Sequence, residues 1–299
     1  MNPVVLVLIV AGVTCAGCWI ASLLTSDTSW VDRIWSIVPA VYVWIFAIAG
    51  MLDGSDPWRL LLMALLVTAW AARLTFNFAR KGGYTGMEDY RWAILRGRMK
   101  RWQFQLFNLF FIVLYQNALL VLITLPALVA WQNPAGLTGW DAALAVLFAA
   151  FLAGESIADQ QQWDFHRAKA AAGGRLEPGF VTTGLFRTSR HPNFFFEQAQ
   201  WWTFYAIGAT AAVASGLGFW GGAINWTIAG AVLLSILFLG STIFTESITS
   251  SKYRAYAEYR RRTSMLVPLP PKRRAKPAKG ARAGRPAKAP KGGNAPQPA

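Results

Sequence analysis

Residues 229–244, AGAVLLSILFLGSTIF, form a long stretch without any charged side chain. A helix needs roughly 20 mostly apolar residues to cross the hydrocarbon core of a bilayer, and this stretch supplies most of one. Six other stretches of the chain have a similar composition, so the sequence predicts seven membrane-spanning helices. Their approximate bounds are 3–24, 34–52, 58–79, 104–131, 138–158, 194–214 and 224–245.

The composition of the whole chain agrees with a membrane protein. Of its 299 residues, 55% are hydrophobic and 14% are charged, whereas a soluble domain carries about 25% charged residues. The fold class predicted for residues 1–268 is an all-α membrane protein, a seven-transmembrane helix bundle. No Lys or Arg precedes the first apolar run, so we interpret it as a permanent helix rather than a secretory signal.

Positive charges are unevenly distributed between the loops. The connections at 53–56, 132–137 and 215–222 contain no Lys or Arg. The loops after the third and fifth runs are rich in both, and positive loops stay in the cytoplasm. These loops contain Arg80, Lys81, Arg91, Arg96, Arg98, Lys100, Arg101, Arg167, Lys169, Arg175, Arg187 and Arg190. We therefore predict a multi-pass protein of the cytoplasmic (inner) membrane, with an external N-terminus and a cytoplasmic C-terminus.

The last segment, residues 269–299, differs from the rest. Lys, Arg, Pro, Ala and Gly dominate it, and it contains no aromatic or acidic residue. Such a composition cannot bury a core, so we expect a disordered tail. Its basic residues can contact anionic lipid headgroups at about 1 kcal/mol each. Because no aromatic side chains alternate with the charges, we expect no specific nucleic-acid binding.

Metal and redox chemistry find little support in the sequence. Cys15 and Cys18 lie within the first apolar run, and we interpret both as small packing residues. The two histidines, His166 and His191, are far apart and have no cysteine nearby, so no metal site is expected. No glycine-rich dinucleotide fingerprint follows a strand, which argues against a Rossmann domain.

Acidic residues occur where the fifth predicted span ends. Glu155, Asp159 and Gln162 share one face of a helix, because residues three and four apart are neighbours. They could accept hydrogen bonds from ribose hydroxyls or an amide. Arg187 and Arg190 in the following loop could bind phosphate. The alternative is a helix end stabilised by its own polar pairs.

The segment Gly184–Glu197, GLFRTSRHPNFFFE, places further polar groups before an apolar run. Pro192 favours a helix that begins near Asn193, and free amides at such a helix start favour anions. Asn193 and Glu197 are four apart and share a face. Glu246 follows the apolar run 229–244 and could pair with Arg190 or bind a ligand. A basic loop that serves only membrane topology remains the alternative.

Taken in order, several motifs of the chain resemble the bacterial branch of the steroid 5α-reductase family. The motifs are Val31-Asp32-Arg33-Ile34-Trp35-Ser36, the Arg73 to Arg91 segment with Glu88-Asp89-Tyr90-Arg91, Ala158-Asp159-Gln160, Gly184-Leu185-Phe186 with Ser189-Arg190-His191-Pro192-Asn193-Phe194, and Tyr253-x-x-Tyr256-x-x-Tyr259 closing at Leu266-Val267-Pro268. The resemblance covers nearly the whole chain apart from the basic tail. Membrane isoprenylcysteine and phospholipid methyltransferases have a similar Arg-His-Pro and Tyr-x-x-Tyr.

This resemblance implies an NADPH-dependent membrane reductase. Its substrate would be lipophilic, steroid-like or another isoprenoid or lipid, with a carbon–carbon double bond conjugated to a ketone. Such a reaction needs a nicotinamide facing the β-carbon and a hydrogen-bond donor to the carbonyl oxygen. By position, the resemblance implies as cofactor-binding residues Glu155, Asp159, Arg187, Arg190, His191, Asn193, Glu197, Glu246, and Tyr253 or Tyr256.

The chain departs from the family at the ketone end. The animal steroid enzymes use an acidic residue of the second span and a tyrosine of the third on the carbonyl. The corresponding places here hold Asp32-Arg33 and Trp70, and Phe194 replaces a usual tyrosine. The candidates for the catalytic donor are Asp32 in its protonated form, Arg33 and Tyr42. Asp32 and Arg33 could equally be a salt-bridged helix start.

Two other classes of function remain open. A membrane methyltransferase using S-adenosylmethionine would have a similar cytoplasmic pocket, but it typically ends in two adjacent glutamates. Here Glu246 is followed by Ser247. A non-catalytic membrane protein would keep the bundle without the pocket, and its acidic residues would then have no purpose.

Overall fold

The computed structural model describes residues 1–272, and these residues form α-helices joined by short loops. In chain order the helices are α1 (Pro3–Thr25), α2 (Trp30–Ile34), α3 (Val38–Leu52), α4 (Trp58–Arg80), α5 (Tyr90–Arg98), α6 (Arg101–Phe107), α7 (Gln116–Gln132), α8 (Gly139–Ala171), α9 (Pro192–Ala212), α10 (Gly218–Ala223), α11 (Ile228–Lys252) and α12 (Tyr256–Arg262). A π-helical segment, Asn108–Tyr115, joins α6 to α7, and a short 3-10 helix covers Gly184–Arg187. The predicted tail lies outside the described residues, apart from its first four positions.

Six helices of the described chain are long and apolar enough to cross a membrane. They are Pro3–Thr25, Trp58–Arg80, Arg101–Gln132, Gly139–Ala171, Pro192–Ala223 and Ile228–Lys252. The all-α membrane fold is therefore confirmed, but the count of seven spans is not. The predicted run 34–52 gives α3 alone, whose 15 residues extend only about 22 Å. The first residues of this run form a turn in which the Ile37 amide donates to the Ile34 carbonyl. Helix α3 begins after this turn, with Pro39 in its first turn.

Helix α7 lies at the centre of the bundle and packs against α1, α3, α4, α9 and α11. Glycines allow two of these neighbours to approach its backbone closely. A Cβ atom on Gly208 of α9 would overlap the Pro126 carbonyl group, and one on Gly230 of α11 would overlap Leu122. The larger apolar core around α7 includes Tyr42, Phe46 and Trp70.

Buried charge first appears at one end of the bundle, where α4 and α8 begin and α3 and α7 end. We call this the Asp141 end. Arg59 Nε donates to Asp141 Oδ1 at 2.7 Å, and Arg59 also donates to the carbonyl groups of Ala135 and Gly136. Asp141 in turn accepts hydrogen bonds from Thr138. This end carries the Lys- and Arg-free connections.

The opposite end, which we call the Glu246 end, carries the loops 81–89 and 172–191 and helices α5 and α12. Helix α8 continues well past the predicted span and ends before Gly173 and Gly174, which have φ values of 61° and 82°. Such left-handed backbone suits glycine at a helix C-terminus. The extension brings the end of α8 close to the loop that precedes α9.

Candidate functional site

Arg73 of α4 lies among three carboxylates at the Glu246 end. Its Nη1 is 2.8 Å from Glu155 Oε1 and 2.7 Å from Asp159 Oδ2, and its Nη2 is 3.0 Å from Glu197 Oε2. All three carboxylates are buried. We call these four residues the carboxylate cluster. The first two acids come from α8 and the third from α9, so the cluster joins three helices.

Neutral side chains complete the carboxylate cluster. The indole Nε1 atoms of Trp70 and Trp201 donate to Glu197 at 2.9–3.1 Å. Gln200 Nε2 donates to Glu155 Oε2 at 2.6 Å. Two buried polar atoms, Arg73 Nε and Gln200 Oε1, have no hydrogen-bond partner among the described residues.

The carboxylate cluster contains more acidic than basic side chains. Three carboxylates face the single guanidinium of Arg73. Lys81 follows α4 at the edge of this cluster, and burial lowers the pKa of its amine against the opposing effect of Asp159. A group of buried ionisable side chains in a membrane protein is costly and marks a functional site by default.

A second cluster surrounds Glu246 of α11. Arg190 Nε lies 2.6 Å from Glu246 Oε1, and His191 Nε2 lies 3.1 Å from the same oxygen. Arg260 Nε is 3.2 Å from Oε2, and the Tyr256 hydroxyl donates to Oε1 at 3.3 Å. We call this the Glu246 cluster. The pairing of Glu246 with Arg190, one of the two possibilities left by the sequence, is present.

The last described residues fasten the loop that carries Arg190. The Arg190 amide donates to the Ser264 carbonyl at 2.8 Å, and the His191 amide donates to the Met265 carbonyl at 3.1 Å. The Ser189 hydroxyl donates to the Leu266 carbonyl, and the Leu269 amide to the Thr188 carbonyl. Residues 263–269 thus form a strap across residues 188–191.

Tyrosines of the segment before the strap pack on Phe180. The rings of Tyr253, Tyr256 and Tyr259 lie 5.8, 4.9 and 5.4 Å from the Phe180 ring. Burial raises the pKa of both Tyr256 and Tyr259. Tyr253 instead accepts a hydrogen bond from Lys169 Nζ at 2.7 Å and does not join the Glu246 cluster.

A cavity of about 520 Å³ opens between the π-helical segment, α5 and α11. This volume lies within the range of small-molecule sites. Half of its lining residues are aromatic, and its only charged lining residues are Asp32 and Arg91. The lining consists of Asp32, Trp35, Arg91, Trp92, Leu95, Phe107, Phe111, Tyr115, Gln116, Phe194, Ile236, Leu237, Phe238, Gly240, Ser241 and Phe244.

Asp32 has few partners within this cavity. The Trp92 Nε1 atom donates to Asp32 Oδ2 at 3.2 Å. Burial raises the pKa of the Asp32 carboxyl, and the nearby Asp89 raises it further. A carboxyl with a raised pKa keeps its proton to a higher pH and can then donate a hydrogen bond.

The cavity adjoins the Glu246 cluster through two aromatic contacts. The His191 ring stacks on the Phe194 ring with centroids 5.6 Å apart, and Phe194 meets Phe238 edge to face at 4.8 Å. Phe194 and Phe238 both line the cavity. One face of the α9 start therefore borders apolar space, while His191 borders Glu246.

The structure brings most of the sequence-predicted residues into these two clusters. Glu155, Asp159 and Glu197 lie together, as do Arg190, His191, Glu246 and Tyr256. Asn193 is half-buried in the first turn of α9, and Arg187 is exposed on the 3-10 helix.

The three candidates for the catalytic donor are not together. Only Asp32 lines the cavity. Arg33 pairs with Asp27 at 2.5 Å and donates to the Gly83 carbonyl, so the helix start is salt-bridged through Asp27 and not through Asp32. Tyr42 is fully buried in the core, and its hydroxyl has no hydrogen-bond partner among the described residues.

Several residues of the site were given no role by the sequence. Arg73 and Arg91 delimit a motif of the resemblance, and Arg73 is also a charged residue inside an apolar run, which is itself a signal of function. Trp70 was noted only as a departure, and Gln200 was not noted. Within residues 1–272, no group of His, Cys, Asp or Glu is arranged to hold a metal ion.

The fold and these clusters define a multi-pass membrane protein with a polar site at one end of its helices and an aromatic cavity beside it. The chain belongs to the family described as a protein of unknown function (DUF1295), which matches residues 18–263. That family includes steroid 5α-reductase-like membrane proteins. An uncharacterized protein of Schizosaccharomyces pombe is 37% identical over 283 residues, which cover 89% of this chain and 80% of that protein. No solved structure matches the chain at a significant level.

Proposed function

We propose that this protein is an NADPH-dependent membrane reductase acting on a carbon–carbon double bond conjugated to a ketone in a lipophilic substrate. The observation that carries the proposal is the position of the aromatic cavity. It contains the buried carboxyl of Asp32 and adjoins the Glu246 cluster through His191 and Phe194. A lipophilic ketone and a polar cofactor could therefore occupy neighbouring sites.

The carboxylate cluster fits the amide of a nicotinamide. A carboxamide accepts through its oxygen and donates through its NH2 group. Arg73 Nε is a buried donor without a partner among the described residues, and Gln200 Oε1 is such an acceptor. The carboxylates also suit a ring that becomes positive when it gives up hydride. When bound, NADPH would supply that hydride to the β-carbon of the substrate.

The phosphates of the cofactor would bind to arginines at the Glu246 end. Arg187 is exposed, and Arg260 is half-exposed beside Glu246. The first turn of α9 adds backbone amides that favour anions. We expect NADPH to bind more tightly than NADH, since an arginine can take the additional phosphate.

Asp32 would act on the substrate ketone. In its protonated form it would donate a hydrogen bond to the carbonyl oxygen, where negative charge develops as hydride reaches the β-carbon. The raised pKa that burial gives this carboxyl favours the protonated form. The aromatic wall would hold the apolar body of the substrate and keep water away.

Seven crossings and a cytoplasmic C-terminus belong to the same proposal. Helix α3 runs antiparallel to α4. Ser36, just before α3, contacts Thr75 of α4, and Gly50 near the other end of α3 lies beside Leu60 of α4. Helix α3 therefore covers most of the depth of α4 despite its length. Seven crossings place the termini on opposite sides of the membrane. The Lys- and Arg-rich loops lie at the Glu246 end, so the positive-inside rule places this end in the cytoplasm, where NADPH is available. Reporter fusions after residue 291 test this, and a reporter active only outside would contradict it.

The decisive experiment measures cofactor choice and turnover on the purified protein. We expect NADPH to change the intrinsic tryptophan fluorescence at a lower concentration than NADH, and a conjugated ketone to accelerate NADPH oxidation. Tighter binding of S-adenosylmethionine than of either nicotinamide would instead indicate a membrane methyltransferase. Binding of none of the three would indicate a non-catalytic protein.

A further inference from the structure

Arg91 offers the cavity a hydrogen-bond donor to which the proposed function gives no role. Its Nε and Nη2 atoms donate to Asp89 at 3.0 and 2.6 Å, and its Nη1 donates to Ser241 Oγ at 2.6 Å. Because a guanidinium carries five N–H groups, these contacts leave two of them without a partner among the described residues. Arg91 lines the cavity, so its guanidinium is held in place at the cavity wall.

The charge around Arg91 restricts the chemistry of a ligand. Asp89 already balances the guanidinium, and Asp32 lies in the same cavity. An added carboxylate or phosphate would therefore find no unbalanced positive charge in the cavity. A neutral acceptor such as a ketone needs no further charge compensation. The other lining side chains are apolar, aromatic or uncharged, which suits a lipophilic molecular body.

We propose that Arg91 binds the carbonyl oxygen of a neutral lipophilic ketone in this cavity, and that Ser241 positions its guanidinium. The assignment rests on the proposed function in taking the cavity as the substrate site. It adds a charged donor from α5 to the donor that Asp32 supplies from α2. Two donors directed at one oxygen stabilise negative charge there better than one.

Gly240 allows the occupancy of the cavity to be tested separately. It lies in α11, lines the cavity and is exposed. A Cβ atom on Gly240 would meet nothing within 4 Å, so Gly240→Phe adds a bulky side chain at the cavity without an initial clash. Gly17 of α1 has equally open surroundings and lies outside the site. Gly17→Phe is therefore the matched control.

The experiment compares two ligands, cholest-4-en-3-one and cholest-4-ene, which differ only in the ketone. Their affinities are measured by tryptophan fluorescence on the full-length protein in detergent, without cofactor. We expect the parent to prefer the ketone about tenfold or more, as a hydrogen bond to a charged group allows. Arg91→Met should lose most of this preference, keeping only the part that Asp32 supplies, and Gly240→Phe should bind neither ligand. Gly17→Phe should behave as the parent.

Several results would overturn the assignment. One is that the parent binds both ligands with equal affinity. Another is that Arg91→Met keeps the full preference of the parent for the ketone. The third is that Gly240→Phe binds the ketone as tightly as the parent does. If Arg91→Met lowers the unfolding temperature, Ser241→Ala replaces it, because that variant frees the guanidinium without removing its charge. A reduced preference in Ser241→Ala supports the assignment, and an unchanged one contradicts it. Because no NADPH oxidation is measured, failure of reduction would overturn only the proposed function.

Discussion

Helix α4 places one buried arginine near each end of the bundle, and the two have different surroundings. At the Asp141 end, Arg59 faces one carboxylate, with side-chain exposures of 3% and 1% for Arg59 and Asp141. Every side-chain nitrogen and oxygen of this pair has a partner. About 21 Å further along α4, Arg73 faces three carboxylates and retains an unpartnered Nε atom.

This difference separates a structural contact from a candidate site. A balanced and fully bonded pair fastens the start of α4 to the start of α8 and needs nothing more. The carboxylate cluster holds three acidic groups around one arginine and two unpartnered polar atoms, which the protein would be more stable without. Their presence is accounted for if a ligand completes them. The predictions below test this contrast, beginning with the largest expected effect.

Breaking the pair at the Asp141 end should damage stability. In Arg59→Met, Asp141 keeps a buried charge without a counter-ion, and loss of one partner of such a pair costs about 3–5 kcal/mol. The free energy of unfolding in detergent measures this. NADPH affinity of the folded fraction should stay at the parent value. The double variant Arg59→Met with Asp141→Leu should recover much of the loss, and a loss in the single variant well below this range would contradict the contrast.

Removing one charge from the carboxylate cluster should damage binding instead. Glu197→Gln keeps the shape of the side chain but weakens the hydrogen bond that positions Arg73, the proposed donor to the nicotinamide amide. Loss of a charge-assisted hydrogen bond of about 1.5–3 kcal/mol corresponds to a ten- to hundredfold weaker NADPH affinity. Folding should be retained, because an amide is less costly to bury than a carboxylate. The measurement is NADPH titration beside Glu258→Gln, a change in an exposed pair of α12, and equal affinities in both variants would contradict it.

The pH dependence of turnover should identify Asp32. The raised pKa of this carboxyl means that the folded state holds the proton more tightly than the unfolded chain. Stability and activity should therefore both decline as the pH rises through the raised pKa. In Asp32→Asn this decline should disappear, while the rate at low pH stays within about tenfold, since an amide also donates. An unchanged pH profile in the variant would exclude Asp32 as the donor.

The smallest effect is expected at Glu88, whose side chain is only partly buried and pairs with the exposed Arg96. Burial alone would raise the pKa of its carboxyl, but hydrogen bonds from Arg96 and Thr28 lower it. Its contribution to stability is therefore present above the unfolded pKa and lost as the pH falls through the folded one. Glu88→Gln should cost about 0.5 kcal/mol or less near neutral pH. A larger loss of stability in thermal unfolding would show that the exposure of a charged side chain does not determine how much its pairing contributes.

The sequence predicted the parts of the site that depend on one helix or one loop. The spacing of Glu155 and Asp159 placed both on one face of α8, and Pro192 correctly indicated where α9 begins. Arg73 was not assigned to these acids because its partners lie on other helices. Helical periodicity shows which residues share a face but does not show which helix that face meets.

The cavity and the span count were less accessible to sequence reasoning. The cavity lies against a π-helical segment, Asn108–Tyr115, and apolar periodicity does not reveal the extra residue in each of its turns. The run 34–52 was predicted as one span, whereas a turn at 35–37 leaves α3 with 15 residues. The apolar composition of residues 34–52 predicted a span, but it did not show that a turn would shorten the helix.

The strap also has a consequence for biosynthesis. Ser264, Met265 and Leu266 supply the carbonyl groups that hold the backbone of Arg190 and His191 and the Ser189 hydroxyl. During translation, α9 and α11 are made before any of these carbonyl groups exist. The strap can therefore fasten the loop that carries Arg190 only after the chain beyond α12 has been made. A nascent chain can thus insert all of its apolar helices before this loop is fastened.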